Sequence, residues 1–279
     1  MSNITLNNII NNIDSLPPLS DTAKLVQALY RSKNDDGNII KLVRIIESDA
    51  LLTANILKMI NSAYYGFSKR ISSVSQAVIL FGTQKIYALV IKYSMFETLK
   101  ANTDIYGFNS IQFNEMCHLQ NTFVLQWYSK INQRDAQFMA SLALIMETGK
   151  LVLATEVAKS SYADIFRKMF IECDNIEDFE KDLFKATSYN LSALLFEHWN
   201  LDSMYAKILM TLDTDEECDC KSKEFVDIIK VTRTVINLKE ILTDESIKKA
   251  SWIVRGMNLS VVDFEKVAHR MRERYINVS

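Results

Sequence analysis

Six glycines and two prolines in 279 residues restrict this chain more than any other feature. β-Sandwiches and α/β sheets need a Gly- or Pro-assisted reversal roughly every 8–12 residues. Eight such residues cannot punctuate the chain that way, whereas helices capped by Ser, Thr, Asp and Asn need few of them. An all-α fold is expected. Both prolines fall in Leu16-Pro17-Pro18-Leu19, where they end a first helix and leave Ser20 or Asp21 to cap the next.

The apolar spacing agrees. Leu52, Ile56, Met59, Ile60 and Ala63 form one helical stripe behind Ser48-Asp49, and Gly66 is placed to close that helix. Ser73-Val74-Ser75-Gln76 has the form of a capping box, followed by a short run to Gly82, with Thr83 opening the next helix. Asn102–Ser110 reads as the connection between two helical subdomains. Beyond it, Phe123, Val124, Trp127, Tyr128 and Ile131 make another stripe, and residues 136–146 are apolar nearly all round, as in a helix buried on most sides. Leu191, Leu194, Leu195 and Trp199 line a further helix. Asp213–Glu224, with six acidic residues, reads as a solvated loop, and a last helix opens at Ser260.

The charge balance limits the function classes. Thirty-two basic and 34 acidic residues leave a formal charge of -2, so no nucleic-acid partner is expected, since a polyanion binder needs a basic excess. No uninterrupted apolar run approaches 18 residues, so membrane insertion is not expected either. Four scattered cysteines and an Asn-rich start without a basic, apolar leader point to reduced thiols in the cytoplasm. Cys218-Asp219-Cys220 lacks the second Cys or His pair that a metal would need.

Most catalytic signatures are missing: there is no G-x-S-x-G, no phosphate-binding Gly loop, no dinucleotide fingerprint and no H-E-x-x-H. The three histidines, His118, His198 and His269, are far apart, and none precedes an Asp. His198 lies on an apolar stripe, where a ring with satisfied nitrogens is the simple reading. His269 stands among arginines on a charged face, where a solvated side chain is expected.

Residues 48–66, Ser-Asp-Ala-Leu-Leu-Thr-Ala-Asn-Ile-Leu-Lys-Met-Ile-Asn-Ser-Ala-Tyr-Tyr-Gly, resemble the hallmark of the HDOD domain. So does the following Ile71–Gly82 segment, with the Leu-Pro-Pro-Leu entry at 16–19. The resemblance covers roughly Leu6 to Leu242. It implies a two-lobed helical bundle: an N-terminal lobe over 1–104, an HD-like lobe over 105–242 and C-terminal helices over 243–279 packed on the latter. It further implies a bacterial signalling or regulatory setting, and kinship of fold with the HD metal phosphohydrolases.

Those hydrolases converge several His and Asp ligands on a divalent metal. In that scheme His118 matches the first His, and the His-Asp dyad falls on Met146-Glu147. A later His falls on Tyr189, the paired histidines near Thr211–Asp213 are absent, and a late Asp falls near Arg233. The resemblance therefore implies a degenerate site holding neither metal nor cofactor, and no catalytic residue. His118, Met146, Glu147, Lys150 and Tyr189 are left either as a pocket for a small anion such as a nucleotide or as a relic closed by its own hydrogen bonds. Asn61 and Ser62 read as lobe bracing or partner contact, and Tyr64, Tyr65 and Phe67 as a protein-contact patch or as core. The expected function is a non-enzymatic signalling or regulatory module acting through other regulatory proteins. The alternatives are a nucleotide-type sensor and a residual phosphohydrolase using His118 and Glu147.

Overall fold

The computed structural model describes residues 4–32, 38–61, 69–214 and 219–276. Among these the regular structure is helical, apart from one isolated bridge between Ile236 and Ile241. The chain forms two compact units: Pro17–Thr98, and a larger one made of Met1–Leu16 with Leu99–Ser279.

The unit boundaries differ from the 1–104 lobe read from the sequence. Helix α1 (Leu6–Asp14) buries Ile9 and Ile13 and belongs to the larger unit, because the extended Pro17-Pro18 pair lets the chain leave it without a continuous helix. The Asn102–Ser110 segment is not a linker. It contains a 3₁₀ helix, Thr103–Tyr106, whose Thr103, Ile105 and Tyr106 are buried, and Gly107 ends it at φ 75°. Tyr106 packs edge-on against Phe166 and Phe170, with centroids 5.5 and 5.2 Å away. Residues 243–279 form no separate unit, since their helices pack within the larger one.

In the smaller unit, α2 (Asp21–Arg31), α3 (Asn38–Glu47), α4 (Ala50–Ile60) and α5 (Val74–Leu99) follow in order. Their caps lie close to where the side-chain chemistry places them. Ser20 Oγ accepts from the Ala23 N–H and Asp49 Oδ1 from the Leu52 N–H. The capping box is shifted by one residue: Ser73 Oγ accepts from the Gln76 N–H, but Gln76 Oε1 accepts from the Ser72 N–H. Gly82 divides α5 with φ 79° and ψ 160°, a conformation open to Gly alone at no steric cost.

Asn61 is a brace. Its Nδ2 donates to the Leu57 and Ile71 carbonyls at 2.7 and 2.8 Å, and its Oδ1 accepts from the Ile71 N–H at 2.8 Å. The tie runs to Ile71 in the same unit, not to the other lobe. Replacing Asn61 by Ala is expected to cost about 2–3 kcal/mol, three hydrogen bonds at roughly 1 kcal/mol each. Asn61→Asp, which keeps only the acceptor, should fall between; equal urea midpoints for all three proteins would refute the brace. Ser62, Ala63, Tyr64, Tyr65, Gly66 and Phe67 lie outside the described residues.

The larger unit continues with α6 (Ser110–Tyr128), α7 (Gln133–Ile145), α8 (Thr148–Ala158), α9 (Ala163–Glu172), α10 (Ile176–Phe184), α11 (Ser188–His198), α12 (Ser203–Thr211), α13 (Cys220–Val235), α14 (Asp244–Gly256) and α15 (Val261–Ile276). Its core is built by α6 against α7, α8 against α11, α11 against α12, and α13 against α14. Every residue from 141 to 154 is buried, as the all-round apolar pattern implies. By length and hydropathy 133–158 and 74–99 could each cross a membrane, and 89% and 50% of those windows are buried within the protein.

Several local readings change here. Ile131 lies past the end of α6 and is 46% exposed, so it is not part of that helix's stripe. The acidic stretch is not all loop: α13 begins at Cys220, and the Asp213 side chain is only 6% exposed because it pairs with Arg233. His198 Nε2 sits 3.0 Å from the Leu16 carbonyl, and His269 is exposed. No disulfide joins Cys117, Cys173 and Cys220, while Cys218 lies outside the described residues.

Candidate functional site

The positions that the resemblance matches to the HD dyad lie at the junction of α7 and α8. Met146 caps the end of α7 and Glu147 is the N-cap of α8. Both are buried, with Lys150 one turn on and Tyr189 on α11; the four side chains are 0, 1, 2 and 1% exposed.

Glu147 is held by three donors. Gln120 Nε2 and the Tyr189 hydroxyl donate to its Oε1 at 2.8 and 3.1 Å, and Lys150 Nζ to its Oε2 at 2.6 Å. Lys150 also donates to Ser188 Oγ at 2.9 Å. Gln120 Nε2 reaches the Ile236 carbonyl at 3.0 Å. Burial alone would lower the Lys150 ammonium, but the carboxylate of Glu147 beside it outweighs that and pushes it up. Burial, then the negative charge of Glu147, holds the Tyr189 phenol well above its ordinary range, so it acts as a donor and not as an anionic ligand.

Two cations lie against the Tyr189 ring. Lys150 Nζ lies 4.7 Å from its ring centroid and the Arg233 guanidinium 5.2 Å. Arg233 in turn pairs with Asp213 at 2.8 Å and Glu177 at 3.7 Å. The protein's own positive groups thus stand against Tyr189 and the Glu147 carboxylate.

The packing that fixes this arrangement is a close helix crossing. A Cβ on Gly149 would stand 1.8 Å from the Ser188 carbonyl oxygen. Its N–H donates to Ser192 Oγ at 2.7 Å, and Ser192 donates to the Met146 carbonyl at 2.7 Å. Only glycine lets α8 and α11 meet closely enough for Lys150 to reach Ser188.

Of the residues singled out in the sequence, Met146, Glu147, Lys150 and Tyr189 come together. His118 is buried on α6, but the α6 side chain that reaches Glu147 is Gln120, two positions on and so about 200° around the helix. The hydrogen bond that α6 gives to Glu147 thus comes from Gln120, which the sequence reading did not single out. The cluster also includes Glu180 and Ser188, which the sequence reading missed: the Ser188 N–H donates to Glu180 Oε2 at 2.5 Å.

The donor set does not fit the metal that the HD fold implies. A thioether at Met146 is a poor ligand for Mg, Mn or Fe(II), Tyr189 keeps its proton, and the carboxylate of Glu147 is already taken by Lys150. Among the described residues no three His, Cys, Asp or Glu side chains gather as a metal would require.

Comparison with known proteins decides the family, because the model of the HDOD domain matches residues 16–211. This chain belongs to the HDOD family. The HDOD chain shares its fold with a protein of Shewanella amazonensis provisionally named a phosphohydrolase (TM-score 0.71, 17% identity, 97% of this chain and 96% of that one). It is equally similar in fold to a protein of Marinobacter aquaeolei provisionally named a signal transduction protein (TM-score 0.71, 16% identity, 98% of this chain and 63% of that one). A protein of Treponema pallidum is 29% identical over 96 residues, which is 34% of this chain and 18% of the relative, so the HDOD chain spans under a fifth of that relative's length.

Proposed function

We propose that this HDOD protein is a non-catalytic, cytoplasmic signalling or regulatory module that works through contacts with other regulatory proteins. The observation that supports this most directly is the buried Glu147–Lys150 ion pair. It involves the position that the resemblance matches to the dyad, at 1–2% side-chain exposure, and Gln120, Tyr189 and Ser188 hydrogen-bond to it. A reacting phosphate or a metal would first have to break that pair in a site sealed from water, which costs several kcal/mol.

Elemental analysis of the purified protein tests it. Less than one equivalent of any transition metal is expected, unchanged by His118→Ala or Glu147→Gln, with no turnover of linear or cyclic nucleotides in the presence of added Mn or Fe(II). One or more equivalents of metal lost in either variant would overturn the non-catalytic reading.

A second reading, a nucleotide-type sensor, is favoured only by a cleft of about 650 Å³ beside Arg233. Its charge speaks against a phosphate: five carboxylates line it against three cations, Arg233, Lys239 and Lys249. Arg233 and Lys249 are already paired with Asp213 and Glu245. Nucleotides at millimolar concentration are expected to leave the melting temperature unchanged, whereas a ligand bound at 100 times its Kd would add about 2.7 kcal/mol.

A further inference from the structure

Two carboxylates and one ammonium share the buried cluster. Glu147 and Glu180 are 1 and 0% exposed, and Lys150 is 2% exposed. Lys150 makes its ion pair with Glu147, so Glu180 is left to the neutral donors of Ser188, whose N–H donates to Oε2, and its Oε1 has no hydrogen-bond partner among the described residues. A buried carboxylate without its own counter-charge takes up a proton before it accepts that desolvation.

We propose that Glu180 is a proton-operated latch: protonated, it holds α10 against the N-terminus of α11, and the opening of α10 releases that proton. Burial raises the Glu180 carboxyl to about 7, against the opposing pull of Lys150 and of the Ser188 hydrogen bonds. The titratable groups that feel its charge are Lys150 on α8, Tyr106 on the 3₁₀ helix, Tyr189 on α11, Cys173 after α9, and Glu177 on its own helix, with Glu147 joined to it through Lys150. Only Lys150 among them is a cation, and Arg233 on α13 is directed to Asp213 and Glu177.

The latch has a surface consequence. Ile176 and Glu177 of α10 wall the cleft beside Arg233, and Leu183 and Phe184 wall a smaller apolar one. Both surfaces change when α10 moves. This inference does not depend on the regulatory reading above, and either can fail alone.

The direction follows from linkage. In water Glu180 ionises near its ordinary value of 4.5, whereas closed it holds its proton up to about 7. Between those values the closed state binds the extra proton, so opening becomes about tenfold easier per pH unit and levels off above the upper value.

Hydrogen exchange of the full chain, corrected for intrinsic rates, tests the latch in the parent and in Glu180→Gln, whose amide carbonyl still accepts from Ser188. Amide protection across α10 is expected to fall roughly tenfold per unit between about pH 5 and 7 in the parent, and to stay level in the variant. Equal slopes in the two proteins would overturn the proposal. Infrared spectra of glutamate-labelled parent protein give a reading that needs no variant. A protonated-carboxyl band should persist at about pH 6 and vanish by about pH 8; its absence at the lower value would also overturn the latch.

Discussion

Gly149→Ala is expected to unfold the larger unit under conditions where the parent remains folded. The added Cβ would meet the Ser188 carbonyl oxygen at 1.8 Å, its carbon at 2.8 Å and the Ser192 nitrogen at 2.8 Å. All three are backbone atoms of α11, so no side-chain rotation relieves the overlap, and α8 or α11 must shift as a body. That shift would also pull Gly149 from Ser192 and Lys150 from Ser188. Overpacking against movable side chains costs about 1–3 kcal/mol, and a clash with backbone in a buried crossing belongs above that range. We expect a loss of about 4 kcal/mol or more, which exceeds the usual effect of a single substitution. A melting curve followed by circular dichroism within about 1 kcal/mol of the parent would show that the two helices slide freely.

Lys150→Met should be nearly as severe, for an electrostatic reason. It keeps the length and the apolar stem but leaves the Glu147 carboxylate, 1% exposed, without its cation. Removing one partner of such a pair costs about 3–5 kcal/mol, because the remaining charge stays desolvated. The informative protein is the double variant Glu147→Met, Lys150→Met. With both charges gone no buried ion is stranded, and most of the loss should return, less the cost of leaving the Gln120 and Tyr189 donors without their acceptor. A coupling energy of about 2 kcal/mol or more in this cycle is the expected result. If the double variant is less stable than Lys150→Met, the pair is not what holds the site closed. The double variant also serves as a control for the Glu180 latch, since it removes the cation opposing that group's protonation.

Part of the site could have been found in the chain alone. Glu180 shares the apolar stripe of α10 with Ile176, Phe179 and Phe184, and Gln120 continues the buried face of α6 with Phe113, Met116, Cys117, Phe123, Val124 and Trp127. A polar residue on such a stripe signals a buried partner. Reading the stripes for their apolar members passes over it. What no stripe reveals is which partner: Gln120 meets Glu147 across 27 positions and Glu180 meets Ser188 across eight. Matching a family position likewise says where a residue sits in the order of helices and not which way it turns.

The choice of helix over sheet was legible in the scarcity of turn-formers, and the helix starts were legible in Ser20, Asp49 and Ser260, because capping is decided within four residues of chain. That Met146-Glu147 is not a His-Asp pair was equally plain, since ligand chemistry belongs to residue type. Three-dimensional packing alone decided that α1 joins the larger unit, that Tyr106 is core and not linker, and that Lys150 is buried with Glu147. Each depends on contacts between residues far apart in the chain, whose energies arise only when desolvation and helix crossing bring the groups together.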